Sequence, residues 1–319
     1  MKKLHGLICL ATLMLALPLM AAPKKLLVVT VTTGFRHSVI PVSEKIIEQL
    51  AAQSGGAFTV EFIHQPAGEL KAPAKPKAGN EGEQAPAFVE AMAKWKEADV
   101  VYQAARPAWI KTVAEALRPL APANLKNYDG VIFASTTGDD LPLPDPKGFV
   151  DWVAAGGAFI GVHAATDTFK TFMPYVGMIG AAFKTHGPQV PVVCINQDPT
   201  HAACAPLPKT WQVYDEIYQM KNFERANVHS LLSLESLMLS NEAIKTKTGT
   251  PGDYPVAWTK MQGKGRVFYT SLGHREDLWD PTYMDKNGRM NSPEVAQQFQ
   301  AHLRGGIFWA LGLDGNKSK

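Results

Sequence analysis

Three stretches of the chain carry a histidine just after an apolar run: Thr32-Thr33-Gly34-Phe35-Arg36-His37-Ser38, Gly161-Val162-His163-Ala164-Ala165-Thr166-Asp167 and Ser271-Leu272-Gly273-His274-Arg275-Glu276-Asp277. A fourth, Ser135-Thr136-Thr137-Gly138-Asp139-Asp140, ends in acids instead. Imidazole changes charge near neutrality, so it serves as base, acid or metal ligand. Gly161 to Ala165 has the small-residue spacing of a strand-to-helix elbow, the turn that lifts the nucleophile into reach in hydrolases with Gly-x-Ser-x-Gly. Histidine is a rare covalent nucleophile, so His163 is expected to act as the central base or as a ligand. His274 and Glu276 form a His-x-Glu pair suited to orienting an imidazole, although a surface salt-bridge group with Arg275 would look the same.

A second grouping is Tyr214-Asp215-Glu216-Ile217-Tyr218, preceded by Trp211. Carboxylates among aromatic rings suit sugar recognition, because ring faces stack on a pyranose while carboxylates accept hydroxyl protons; the acids also suit base or metal-ligand roles. An exposed turn with ordinary acids is the plainer alternative. The expected catalytic groups are therefore His163, His274, Glu216 and Glu276. Arg36, His37, Thr137, Asp139, Asp167 and Asp215 are the expected substrate contacts. No His-x-x-x-His, His-x-His or Cys-x-x-Cys spacing occurs, so a divalent metal would have to be assembled from distant tips, chiefly His37, His163 and His274 with Glu216. His186 and His201 read as loop residues, and His64, His229 and His302 as structural.

The elements that would bring these tips together follow from hydrophobic pattern. Leu26 to Thr30, Val131 to Ala134, Ala158 to Val162 and Val267 to Thr270 are nearly continuous apolar runs, the pattern of strands covered on both faces. Helical periodicity lies between them, over Pro41 to Gln53, Pro146 to Ala155 and the stretch from Pro293, where Val295, Phe299, Leu303, Ile307 and Leu311 form one stripe. Alternation of this kind predicts an α/β fold, doubly wound and flavodoxin-like, with a mostly parallel sheet and helices on both faces. In such sheets ligands bind beyond the carboxyl ends of the strands, where the histidines fall. Residues 66–86, rich in Ala, Pro, Lys and Gly, read as a loop, and 87–119 as a helix with Phe88, Met92 and Trp95 on one face. The span 66–127 is taken as an insertion on a single domain of residues 22–319. Further strands are expected around Val190 to Ile195 and Val228 to Leu232.

With 46% apolar and 19% charged residues in 319, the chain can bury a sizeable core, which argues against general disorder. A formal net charge of +3 gives no support to a nucleic-acid partner. Lys2 and Lys3, the apolar run Leu7 to Leu19 and the small residue Ala21 predict a secretory signal over 1–21, hence a periplasmic or secreted protein with no membrane association after cleavage. The run is shorter than the ~20 residues of a spanning helix. Cys194 and Cys204 would then be the remaining cysteines, and an exported chain favours a disulfide between them over two thiols. Spacing leaves both states open, as composition leaves the oligomeric state.

The residues already named also resemble a known family. Gly34-Phe35-Arg36-His37, Thr136-Thr137-Gly138-Asp139, Gly156 to Asp167, Asp215-Glu216-Ile217-Tyr218, Pro255-Val256-Ala257-Trp258 and Gly263 to His274 are similar, in order, to the ThuA-like family named for trehalose utilisation. That resemblance implies a class I glutamine amidotransferase-like fold and a carbohydrate partner, a disaccharide or its oxidised keto form. In amidotransferases of this fold the elbow residue is a cysteine nucleophile, whereas His163 stands here, so glutaminase activity is not expected. A non-catalytic sugar-binding protein on the same fold is the alternative to an enzyme. A scaffold whose polar tips only satisfy turns is a third reading.

Overall fold

The computed structural model describes residues 22–234 and 254–315; the expected signal segment lies outside them. Nine strands among these residues form one sheet: β1 (Lys24–Val29), β2 (Phe58–Ile63), β3 (Gly130–Ala134), β4 (Ala158–Val162), β5 (Ala182–Asn196), β6 (Thr210–Lys221), β7 (His229–Leu234), β8 (Pro255–Gln262) and β9 (Gly265–Thr270). Their spatial order is β2-β1-β3-β4-β9-β8-β7-β5-β6. The first five pair in parallel, in the 2-1-3-4-5 arrangement of flavodoxin-like sheets with β9 in the fifth place. The other four continue the sheet antiparallel.

The parallel half follows from side-chain chemistry. Every residue of β3 (GVIFA) and β4 (AFIGV) is buried, so both faces must be covered. On one face Leu26, Val28, Ile132 and Ile160 meet Ile46, Ile47 and Leu50 of helix Ile40–Ala52, and Phe299, Leu303 and Ile307 of helix Pro293–Ala310. On the other, Val131, Phe133, Phe159 and Tyr269 meet Phe149 and Val153 of helix Pro146–Ala154 and Val113 of helix Pro86–Ala116. Each fully buried Leu, Ile or Phe contributes roughly 1.5–3 kcal/mol. Two helix starts are capped as their residue types require: Asp145 accepts from Gly148 N, and Ser292 from Val295 N.

The four strands read from continuous apolar runs are thus neighbours, β1-β3-β4-β9, with their polar tips side by side, and the further strands expected around Val190 to Ile195 and Val228 to Leu232 fall in β5 and β7. The antiparallel half is the addition. Its long β5–β6 hairpin, with register shifts between Phe183/Thr185 and His186/Gln189, bends towards the tip of β4. This corrects one expectation, that His186 is a loop residue, and removes the exposed-turn alternative for the Tyr214–Tyr218 group. His186 is a strand residue opposite Tyr218, and the Tyr214–Tyr218 group lies within β6. The disulfide is also absent: Cys194 and Cys204 are separate buried thiols. Cys194 is fixed in β5 between Trp211 and Leu234, and Cys204 directs its Sγ to the Leu231 carbonyl.

Within residues 66–127, the helix Pro86–Ala116 buries only Trp109 and Val113. Phe88, Met92 and Trp95 are half-buried, and Trp95 Nε1 donates to the Pro73 carbonyl at 3.0 Å, tying the preceding loop to the helix. No helix among the described residues is long and apolar enough to cross a membrane.

Candidate metal centre

His163 is reached through a strained turn. β4 runs straight into a 3-10 turn, His163–Asp167, and His163 adopts φ 51°, a left-handed conformation that disfavours a side chain. The turn is held from beneath. Tyr269 Oη donates to the His163 carbonyl at 2.8 Å, the Thr166 hydroxyl donates to that phenol at 2.9 Å, and Tyr175 Oη donates to the Ala165 carbonyl at 2.9 Å. Gly161 is needed for the same packing, since a Cβ there would lie 3.0 Å from both Ile179 and Tyr269.

This turn leaves the His163 ring fully buried. Nδ1–H donates to the Ser271 carbonyl at 2.9 Å, which fixes the tautomer and leaves the Nε2 lone pair available. Around Nε2 lie Tyr218 Oη at 3.1 Å, His274 Nδ1 at 3.2 Å and Glu216 Oε2 at 3.9 Å. His274 Nδ1 is in turn 3.3 Å from Glu216 Oε2, and Glu216 Oε1 is 2.9 Å from His186 Nδ1. His37 completes the group, its ring centroid 4.8 Å from that of His163 and its Nδ1 buried without a hydrogen-bond partner. One ligand atom each from His37, His163, Glu216 and His274 lies within 4.8 Å of the others.

Burial governs the charges here. Desolvation, reinforced by the His274 charge, lowers His37 to about 4. Burial and the neighbouring His37 and His274 hold His163 well below the ordinary imidazole value. Burial also opposes protonation of His274, but the Glu216 carboxylate outweighs it and the net shift is upward. Burial raises the Tyr218 phenol well above its usual range, so it stays a neutral donor.

Of the ten expected site residues, the tips and the β5–β6 hairpin bring together four: His37, His163, Glu216 and His274. The others take different places. Asp215 is fully buried, and its Oδ2 accepts from Gly273 N at 2.6 Å and His274 N at 3.4 Å, so it anchors the loop that carries His274. Burial lifts its pKa to about 6 against these backbone bonds. Glu276 accepts from Ser38 Oγ at 2.6 Å, and the carboxylate that orients His274 is Glu216. Thr137 Oγ1 donates to the Phe35 carbonyl, while Arg36 donates from Nη1 to the Thr30 carbonyl at 3.0 Å and pairs through Nε with Glu69 at 3.7 Å. Asp167 pairs with Lys170 at 2.6 Å, and Asp139 is exposed at the tip of β3. Tyr218 and His186 were not assigned roles from sequence. Tyr218 shares the face of β6 that Glu216 presents, the i, i+2 relation that marks it once the strand is known.

The donor set suits a first-row divalent ion. Tetrahedral Zn–N and Zn–O bonds of about 2.0–2.1 Å place ligand atoms about 3.3–3.4 Å apart. The His163–His274 and His274–Glu216 separations, 3.2 and 3.3 Å, are already of that size. The widest separation, 4.8 Å, requires one ring to turn inward.

A flavodoxin-ordered α/β sheet with a histidine at the elbow and a three-histidine, one-carboxylate group over its strand tips defines the class of protein. The chain belongs to the ThuA family, described as trehalose utilisation, whose model matches residues 76–310. In fold it is similar to a ThuA-like protein from Parabacteroides merdae, at 20% identity and TM-score 0.56 over 92% of each chain. A ThuA-like protein from Bacteroides uniformis is similar at 18% identity and TM-score 0.56, over 94% of this chain and 95% of that one. No curated protein matches the sequence.

Proposed function

We propose that the protein is an exported, metal-dependent enzyme of carbohydrate catabolism that acts on a disaccharide or keto-sugar by acid-base chemistry. The convergence of His37, His163, Glu216 and His274 from three strand tips and a distant hairpin carries this reading. Groups that merely finished their own turns would have no reason to meet. A divalent ion held there would polarise a hydroxyl or keto oxygen of the sugar and favour loss of a proton beside it. The chain's own residues supply the rest. Ser271 fixes the His163 tautomer, Glu216 orients His274, and the Tyr218 hydroxyl is the neutral donor beside His163 Nε2. Cys194 and Cys204 take no part as nucleophiles, since burial pushes both thiols up to about 12. Family membership supports the carbohydrate assignment, and Lys2, Lys3 and the apolar run Leu7 to Leu19 support export.

Metal analysis of the purified mature protein, joined to turnover assays on glucosides and 3-keto-glucosides, tests the reading. Near-stoichiometric metal and product formation are expected in the wild type, and both are lost in His163→Ala. Sugar binding without turnover would instead assign a non-catalytic binding protein, and absence of metal from wild type would remove the metal.

A further inference from the structure

Beside the histidine group lies a cleft of about 870 Å³ between the loop after β1 and the inserted span. His37 belongs to both the cleft wall and the histidine group. Its walls combine aromatic faces with hydrogen-bonding groups. Phe35 is 67% exposed at its rim, edge-on to His37 with ring centroids 4.8 Å apart. Tyr102 and Trp109 of the long helix line the opposite side, with Glu69 and Lys71 from the loop.

We infer that this cleft is the binding site for a second sugar ring, the part of a glycoside beyond the ring that meets the metal centre. The inference rests on the carbohydrate reading above and adds where specificity is set. Three observations carry it. The wall is fastened at the rim: Gln65, just before the span 66–127, accepts through Oε1 from Thr32 N at 2.8 Å and donates through Nε2 to the Thr32 carbonyl at 3.0 Å, and Asp140 accepts from both Thr33 Oγ1 and Arg106. A wall held in place before the ligand arrives lowers the cost of ordering it. Phe35 is held outward as well, its carbonyl bound by Thr137 Oγ1, and at Gly34 a Cβ would lie 3.1 Å from that same oxygen. Finally, two cations at the rim are paired, Arg36 with Glu69 and Arg106 with Asp140, with Lys71 beside them. Aromatic faces beside hydroxyls and paired charges suit a polyol ring, and a single lysine is a poor cradle for a polyanion.

Calorimetric titration of α,α-trehalose and methyl α-D-glucopyranoside into the mature protein tests this. The disaccharide is expected to bind about tenfold more tightly than the monosaccharide glycoside, a difference of one stacked and hydrogen-bonded ring. Phe35→Ala and Tyr102→Ala each erase most of that ratio, Val100→Ala on the exposed face of the same helix leaves it, and His163→Ala retains it. Equal binding of the two sugars, or a ratio unchanged in both aromatic variants, overturns the inference. Circular dichroism of each variant confirms that the fold is kept. The two readings fail separately: a preserved ratio without metal or turnover removes the enzyme and keeps the subsite, whereas turnover without a ratio removes the subsite alone.

Discussion

His163 and His302 are both fully buried, and each donates Nδ1–H to a backbone carbonyl, of Ser271 at 2.9 Å and of Ala203 at 2.8 Å. Burial lowers the pKa of both, His302 to about 4. What separates them is the far side of the ring. His163 Nε2 faces two other histidines, a carboxylate and a phenol, whereas His302 Nε2 is unpartnered and the ring packs beside Trp211 and Phe268. A buried imidazole with a depressed pKa therefore does not mark a site by itself; converging donors from separate elements do.

The largest expected effect breaks this comparison at its centre. His163→Ala lowers divalent-metal affinity by at least 100-fold in a chelator-competition assay, while His302→Ala leaves affinity unchanged and costs on the order of 2–4 kcal/mol of stability, as loss of a large buried ring does. If His302→Ala also stripped the metal, the contrast would collapse. Next in size is Asp215→Ala, which frees the Gly273–His274 backbone. It is expected to weaken metal binding by about tenfold while circular dichroism stays the same.

A smaller effect is read from pH. His302 keeps its neutral form down to about 4, against an ordinary value of 6.5, so the unfolded chain takes up the proton first. Stability at this position therefore falls as pH drops from 6.5 to 4 and does not change further below. Denaturant midpoints at pH 7 and pH 5 are expected to lie closer together in His302→Phe than in wild type. Asp277 behaves differently: burial raises its pKa, but Arg275, Asn291 and two backbone N–H groups outweigh it and bring it to about 2. Its contribution is complete above pH 3.8 and is lost as pH falls to about 2, the smallest effect near neutrality; Asp277→Asn flattens that acid limb of the stability curve.

How much of this was legible in the sequence follows from the range of the forces involved. β1, β3, β4 and β9 could be read because strands covered on both faces need continuous apolar runs, and that placed His37, His163 and His274 at one edge. β2 was not read. Its residues Phe58–Ile63 alternate in burial, and its place at the sheet edge is fixed only by pairing with β1. Glu216 was a candidate, but its arrival at His274 depends on the course of a hairpin whose shifted register is set by contacts distant in sequence. For the same reason Glu276, next but one to His274, looked like the orienting carboxylate although Ser38 holds it. Adjacency in sequence misled where tertiary pairing decided.

The bonds beneath the elbow, Tyr269 to the His163 carbonyl and Tyr175 to the Ala165 carbonyl, come from the sheet and its neighbouring helix and not from the inserted span. The elbow that carries His163 thus has supports of its own, while His37 is shared with the cleft. Exchange of the loop 66–86, which brings Glu69 and Lys71 to the cleft, would change which ligands fit while leaving the supports of the elbow in place, so the protein is arranged as a fixed tool with a replaceable jaw.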